Sequence, residues 1–256
     1  MKKIWSLTHY YCQDMFDLKT LLLFCILFPI LAGAALALSG RVDMTVSQFD
    51  MYFGVVSTAY MKYAFWLFPQ IISMILCVLA AQFVSGVYKN STDYLCLYGG
   101  NRRFDIHMSK CLAAIFGTTI VLLVYFVVAA LGALVGGIYV FDAKIMLAAF
   151  RWISNGMICM LGTIFFTAIM KSIFSGFIAW GIVFAVPFLQ TGVNKGLDIA
   201  VKTVKFVIPL FDFGKYTDFT MEALQKADTY FHAGWILPML LLLFLSSFAV
   251  YRRQDI

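Results

Sequence analysis

Six long apolar runs take up more than half of this sequence and limit what the chain can fold into. Of the 256 residues, 62% are hydrophobic and 12% are charged; five of the six runs contain no Asp, Glu, Lys or Arg, and the fourth contains one charge, Arg151. About 20 apolar residues in a helix cross the hydrocarbon core of a bilayer. Helices satisfy their own backbone in lipid, whereas a barrel would need alternating residues. The runs are residues 20–39, 63–86, 111–140, 145–170, 173–192 and 233–251.

The runs predict an all-α membrane protein, with residues 1–256 forming a single transmembrane domain of six helices. Before the first span, residues 4–18 are aromatic and amphipathic, which is typical of an N-terminal interfacial helix. Between spans five and six, residues 197–208 carry apolar side chains on one helical face and charged side chains on the other. This pattern predicts an amphipathic outer segment, which Pro209 ends.

The basic residues indicate the orientation of the spans. With six spans both termini lie on one side, and that side carries the paired cations Lys2-Lys3, Arg102-Arg103 and Arg252-Arg253 close to span ends. Cytoplasmic segments are enriched in Lys and Arg near the membrane. We therefore predict that both termini are cytoplasmic. Anionic lipid headgroups account for the net charge of +6, and no nucleic-acid partner is expected.

A polar island at residues 87–110 separates the second and third runs. Asn90 or Ser91 can cap a short helix here, and Asp93 suits its positive N-terminal end. The two glycines at 99–100 can end it in the left-handed conformation. The island is thus predicted to form a helix of two turns, which is too short to be stable alone.

This short helix carries an aromatic and apolar face, formed by Tyr94, Leu95 and Tyr98. Arg102 and Arg103 follow it directly. Two interpretations stay open. In one, the helix binds in a groove of a cytoplasmic partner protein. In the other, it rests on the lipid headgroups, with its Tyr and Arg side chains as ordinary anchors.

The sequence argues against an enzyme. It contains no G-x-x-x-x-G-K-[ST], H-E-x-x-H or G-x-S-x-G motif, and no paired carboxylates within a run. We therefore expect no catalytic residues and no ATP site in this chain. His107 and Cys111 can share a helical face, but two ligands without a third do not make a metal site, and none is expected.

Polar residues inside the runs are candidates for a substrate path. Arg151 lies within the fourth span, about 10 Å below its outer boundary, and Asn155 lies one turn further along the same face. Arg151 can alternatively extend its side chain outward to the interface. Gln70, after a proline, is the other candidate. Gly132-x-x-x-Gly136 predicts close helix packing, with a partner helix in this chain or in another.

In layout, the chain resembles the permease subunits of type-two ABC exporters, in particular the peptide-export and lantibiotic self-protection branch. The shared features are the six spans, the cytoplasmic termini, the amphipathic start, the short helix between spans two and three and the outer segment before span six. Thr92 and Leu95, followed by Arg103 and Lys110, match the family's G-T-x-x-x-L…R…K coupling segment. The family often has a Glu at the end of span two, where this chain has Gly86.

The resemblance implies a dimer of permeases, homomeric or heteromeric, in a bacterial cytoplasmic (plasma) membrane. It also implies a separate cytoplasmic ABC ATPase, in two copies, that binds ATP and Mg and drives outward transport. An apolar interior favours an amphipathic peptide or lipophilic cargo, and the resemblance to the lantibiotic self-protection branch implies a role in antimicrobial peptide resistance. The alternative is a non-ABC accessory or sensory membrane subunit whose cytoplasmic hairpin binds another partner. The residues expected to couple to the ATPase are Ser91, Asp93, Tyr94, Leu95, Tyr98, Arg102 and Arg103.

Overall fold

The computed structural model of this chain describes residues 2–39, 60, 63–89, 92–137, 143–182 and 229–253. Side chains at positions 2, 66, 143–148, 151 and 229–235 lie outside that description. Ser91, the predicted outer segment at 197–208 and the second half of the fifth predicted span also lie outside it.

Every regular element within the described ranges is a helix. The elements are α1 (Lys2–Met15), α2 (Leu18–Ser39), a π-helical turn (Tyr63–Leu67) leading into α3 (Phe68–Lys89), α4 (Thr92–Tyr98), α5 (Arg103–Val135), α6 (Ala143–Met170), α7 (residues 174–182) and α8 (Thr229–Arg253).

Five of the helices are long and apolar enough to cross a bilayer, as a helical membrane protein requires. The qualifying segments are Leu18–Ser39, Tyr63–Lys89, Arg103–Val135, Trp152–Met170 and Ile236–Arg253. The fifth predicted span, 173–192, is described only as far as α7, so the sixth crossing stays a prediction.

The third span differs most from its predicted bounds. It was expected over residues 111–140, but α5 begins eight residues earlier and ends at Val135. Lys110 does not end the helix, because Asp93 neutralises its charge inside the protein. At the other end, the chain turns at Gly136 and at Gly137, whose φ of +72° favours glycine. The length of an uncharged run in the sequence therefore predicts neither end of α5 correctly.

The start of α3 shows how the bundle satisfies a backbone carbonyl that proline leaves free. In a π turn each carbonyl accepts a hydrogen bond from the N–H five residues later. The residue five positions after Ala64 is Pro69, which has no N–H to donate. The Tyr125 hydroxyl of α5 donates to that carbonyl instead, at 2.6 Å. In return, the Tyr60 hydroxyl donates to the Ala129 carbonyl of α5 at 2.5 Å. Two reciprocal hydrogen bonds therefore join α5 to the segment that leads into α3.

The link between α1 and α2 is also fixed by specific contacts. Asp17 caps α2, because its Oδ1 accepts a hydrogen bond from the Thr20 N–H at 2.8 Å. Hydrogen bonding from Thr20 holds the pKa of the Asp17 carboxyl below its usual value. Phe16 packs so closely on α5 that a Cβ at Gly117 would overlap its ring. The N-terminal helix therefore packs against protein, and does not lie on lipid alone.

The small residues of α5 pack against α2 of the same chain. A Cβ at Gly132 would lie 3.1 Å from the Ala32 Cβ, and a Cβ at Gly136 would lie 2.5 Å from the Leu36 Cδ2. Small residues let two membrane helices approach closely, which increases van der Waals contact. The partner of this glycine pair, which the sequence left open, is thus an intramolecular helix.

We expect Gly136→Ala to destabilise the packing of α5 on α2 by about 0.5–1.5 kcal/mol, because the new methyl group overlaps the end of the Leu36 side chain and forces it out of its rotamer. Thermal unfolding in detergent measures the loss. Adding Leu36→Ala should recover part of it. Gly33→Ala on α2 is the control, since a Cβ there meets nothing within 4 Å. Equal unfolding temperatures for Gly136→Ala and wild type would contradict this packing.

Helices α1 and α4 and the last turn of α8 lie together at one end of the bundle. Lys110 near the start of α5 lies against the rings of Tyr11 in α1, Tyr88 in α3 and Tyr251 in α8. Lys171, directly after α6, also lies over the Tyr88 ring, at 5.9 Å. Both ends of the described chain and the island between the second and third predicted spans are therefore on the same side of the bundle.

Candidate functional site

The candidate site is built around α4, the short helix of the polar island. It begins at Thr92 and ends at Tyr98. The predicted stop at the two glycines is confirmed: the Gly99 N–H donates to the Leu95 carbonyl at 3.0 Å, and Gly100 has a φ of +78°. Asn101 adds a side-chain hydrogen bond to the Cys96 carbonyl. These bonds close a two-turn helix and turn the chain into α5.

The outer face of α4 is apolar and exposed. Tyr98 is 88% exposed, Leu95 is 70% exposed and Tyr94 is 40% exposed. Arg102 beyond the helix is exposed too, whereas Arg103 turns toward α8 and donates to the Arg252 carbonyl at 3.1 Å. The three residues predicted to share a face thus present adjacent large apolar side chains outside the bundle.

The inner face of α4 is held by a buried ion pair. Lys110 Nζ lies 2.6 Å from Asp93 Oδ2, and both residues are only 2% exposed. The Tyr251 hydroxyl of α8 donates to the same oxygen at 3.0 Å. Asp93 lies in the first turn of α4, as the sequence predicts, and its carboxylate also anchors α4 to α5 and α8.

Aromatic rings surround the ammonium group of this pair. The Lys110 Nζ lies 5.2 Å from the ring centroid of Tyr251, 5.4 Å from that of Tyr88 and 5.8 Å from that of Tyr11. A cation within about 6 Å of a ring centroid is attracted to the face of the ring. The rings therefore replace part of the hydration that Lys110 lost on burial. We call Tyr11, Tyr88, Asp93, Lys110 and Tyr251 the Lys110 cluster.

Tyr11 ties the amphipathic helix α1 to this cluster. It is fully buried, and its hydroxyl lies 3.7 Å from the Cys96 Sγ of α4. Burial raises the pKa of the Tyr11 hydroxyl well above its usual value, and the Asp93 carboxylate adds to the shift. The hydroxyl therefore stays neutral at physiological pH. Further along α5, the Ser109 hydroxyl contacts the Ile4 carbonyl of α1 at 3.1 Å.

The first turns of α5 pack against the last turns of α8. His107 stacks on Tyr251 with ring centroids 5.3 Å apart, and its Nε2 lies 2.9 Å from the Ser247 Oγ. The Cys111 Sγ is 3.5 Å from the same nitrogen. Within the described ranges, no three His, Cys, Asp or Glu side chains come close enough to hold a metal ion. The contacts that His107 makes join α5 to α8.

The predicted path residues lie on two different helices. Gln70 on α3 is half-buried, and its backbone carbonyl accepts a hydrogen bond from the Trp180 indole at 3.3 Å. Asn155 on α6 is 1% exposed, and its Nδ2 has no hydrogen-bond partner among the described residues. Arg151 lies on α6 as well, but its side chain lies outside the described part. No described contact joins Gln70 to Asn155.

The sequence indicated the outer face of α4 but missed the groups that hold the helix in place. The apolar runs place Lys110 at the membrane boundary of the third predicted span and Tyr11 in the interfacial segment, and no sequence pattern singles out Tyr88 or Tyr251. One signal was available. Asp93 is the first acidic residue of the island and Lys110 is its last basic residue, and a carboxylate and an ammonium group at the same membrane depth favour pairing.

Comparison with known proteins adds no family to this description. No family model matches the sequence, and no curated protein matches it as a relative.

Proposed function

We propose that this chain is the membrane subunit of an ATP-driven exporter of the type-two ABC class, with α4 as the helix that contacts a separate ATPase. One observation carries the proposal: α4 exposes Tyr94, Leu95 and Tyr98 on one face, while its opposite face is attached to the bundle by a buried ion pair. Exposed aromatic residues on a rigid support are typical of binding hot spots. A helix resting only on lipid needs no such attachment.

The remaining parts of the proposal are supported by the sequence and by its resemblance to the exporter permeases. The chain lacks a phosphate-binding loop motif, so a cytoplasmic partner, in two copies, would bind ATP and Mg. The basic pairs near α1, α4 and the end of α8 favour a cytoplasmic location for this end of the bundle. We further propose six spans, a dimer of permease chains and a bacterial plasma membrane. The apolar helices favour an amphipathic peptide or lipophilic cargo, which would give resistance to antimicrobial peptides.

We expect Tyr98→Ala to release the ATPase while leaving the chain folded, because the ring is 88% exposed and contributes little to the core. An aromatic hot spot contributes about 2 kcal/mol or more to binding, so affinity should fall about thirtyfold. Copurification of the ATPase with the tagged chain from membranes measures this, and a titration in detergent gives the ratio of dissociation constants.

The matched control is Tyr10→Ala, since Tyr10 on α1 is also an exposed tyrosine, at 48%. It should leave the ATPase bound. If an ATPase stays bound to both variants equally, α4 is not the contact. If the wild-type chain instead retains a cytoplasmic protein that is not an ATPase, the accessory or sensory function replaces the exporter.

Asn155 offers a test of the transport path. Its Nδ2 is buried without a partner among the described residues, so its removal should cost little stability. We expect Asn155→Ala to keep the unfolding temperature of the wild type and to lower export of a fluorescent amphipathic peptide from inverted vesicles by about tenfold. Ser154→Ala, which removes a hydroxyl bonded to its own helix at Phe150, is the control. Unchanged export in Asn155→Ala would remove this residue from the path.

A further inference from the structure

The buried ion pair that attaches α4 to the bundle is more than is needed to hold a short helix in place. Cys96 and Leu97 already give α4 an apolar contact with the bundle, yet its one fully buried side chain is the carboxylate of Asp93, buried to 98%. Burying a carboxylate and an ammonium group carries a desolvation cost that apolar residues of the same size avoid. The arrangement therefore calls for an explanation beyond stability.

The hydrogen bonds that Asp93 accepts supply such an explanation. A single oxygen, Asp93 Oδ2, accepts from Lys110 of α5 at 2.6 Å and from Tyr251 of α8 at 3.0 Å. Charge-assisted hydrogen bonds in a dry environment are strong and directional. A displacement of α4 must therefore either break both bonds or move the adjoining turns of α5 and α8 with it.

The two helices are also joined to each other at this level. Tyr251 stacks on His107 of α5, and Arg103 of α5 donates to the Arg252 carbonyl of α8. The first turns of α5 and the last turns of α8 thus form one packed unit, with Asp93 at its edge.

We infer that Lys110 and Tyr251 are positioning residues that transfer movement of α4 to α5 and α8. This inference rests on the proposed function, in which an ATPase moves α4. Neither residue contacts the ATPase or the cargo; both act through Asp93. The ion pair keeps α4 attached under load, and the Tyr251 hydroxyl extends the connection to the last span.

The test uses D93N/K110M, which removes both charges together and leaves no unpaired ion in the bundle. Hydrogen exchange of the full chain in detergent reports on α4 through the amides of Gly99 and Gly100, which bond to Leu95 and Leu97. We expect these amides to exchange about tenfold faster in D93N/K110M. The control D14N/K89M removes the same two kinds of charge from exposed positions on α1 and α3 and should exchange as wild type.

A second measurement uses the complex with the copurified ATPase. Adding a non-hydrolysable ATP analogue to the wild-type complex should change the rate of amide hydrogen exchange in three places: α4, residues 103–111 of α5 and residues 244–253 of α8. In D93N/K110M the ATPase stays bound through the outer face of α4, and the change should be confined to α4. A purely structural pair would leave the response of α5 and α8 to nucleotide intact, and that result overturns the inference.

Tyr251→Phe separates the two positioning residues. It keeps the ring on Lys110 and His107 and removes only the hydroxyl bonded to Asp93. The nucleotide response should weaken about fivefold or more in α8 and persist in α5; a full response in α8 overturns the role of Tyr251.

If no ATPase copurifies with the wild-type chain, the proposed function fails. If an ATPase copurifies and Gly99 exchanges at the wild-type rate in D93N/K110M, only the positioning role fails.

Discussion

Lys110→Met is expected to lose about 3–5 kcal/mol of stability, because it leaves the Asp93 carboxylate buried without its counterion. Only the Tyr251 hydroxyl would still donate to that carboxylate among the described residues. Most of the protein should then fail to accumulate as a folded monodisperse species. Yield from membranes and thermal unfolding in detergent measure the effect.

The double variant D93N/K110M should recover most of that loss. Methionine fills the volume of the lysine stem, and asparagine keeps an oxygen that can accept from Tyr251. The recovery is the specific signature of a buried pair, since two independent losses would add. Lys89→Met, which removes an exposed cation at the end of α3, is the single-charge control and should behave as wild type. A stable, high-yield Lys110→Met would show that the pair is not formed.

Gly176→Ala is expected to detach α7 from α3. A Cβ at this position would lie 2.5 Å from the Cys77 carbonyl oxygen and 3.0 Å from the Val78 nitrogen. Both are backbone atoms of α3, so no side-chain rotation relieves the overlap. Overpacking of this kind costs about 1–3 kcal/mol, and the rigid neighbour places the expected loss at the upper end.

The consequence for Cys77 gives a direct readout, because its side chain is fully buried in the wild type. Labelling by a membrane-permeant maleimide should accelerate at Cys77 in Gly176→Ala. Gly181→Ala, on the same helix with nothing within 4 Å of the new Cβ, should label as wild type and be at least as stable. Equal labelling in the two variants would mean that α7 does not pack on α3 in this way.

The helical membrane class could be read from the sequence because continuous apolarity has few structural solutions. The end of α4 at Gly99 and Gly100 was also predictable, since left-handed glycine termination is a local property. The bounds of α5 were not, because they depend on a residue 17 positions away in the chain. A charge can enter a helix bundle when its partner enters too, and single-residue hydropathy does not contain that information.

The candidate site shows the same division. The outer face of α4 follows from the helical spacing of Tyr94, Leu95 and Tyr98, and it is exposed as that spacing requires. Its attachment depends on tyrosines from α1, α3 and α8, which only the tertiary structure brings together. In sequence, each of them resembles an ordinary aromatic residue at a membrane interface.

The reciprocal hydrogen bonds of Tyr60 and Tyr125 have a further consequence for how the bundle can move. A piston-like slide of α5 along the start of α3 would lengthen both bonds at once, and hydrocarbon offers no water to replace them. A small tilt of α5 about this level keeps both donors within reach of their carbonyls. Rocking about a fulcrum near the C-terminal end of α5 is therefore the motion of α5 that these bonds favour.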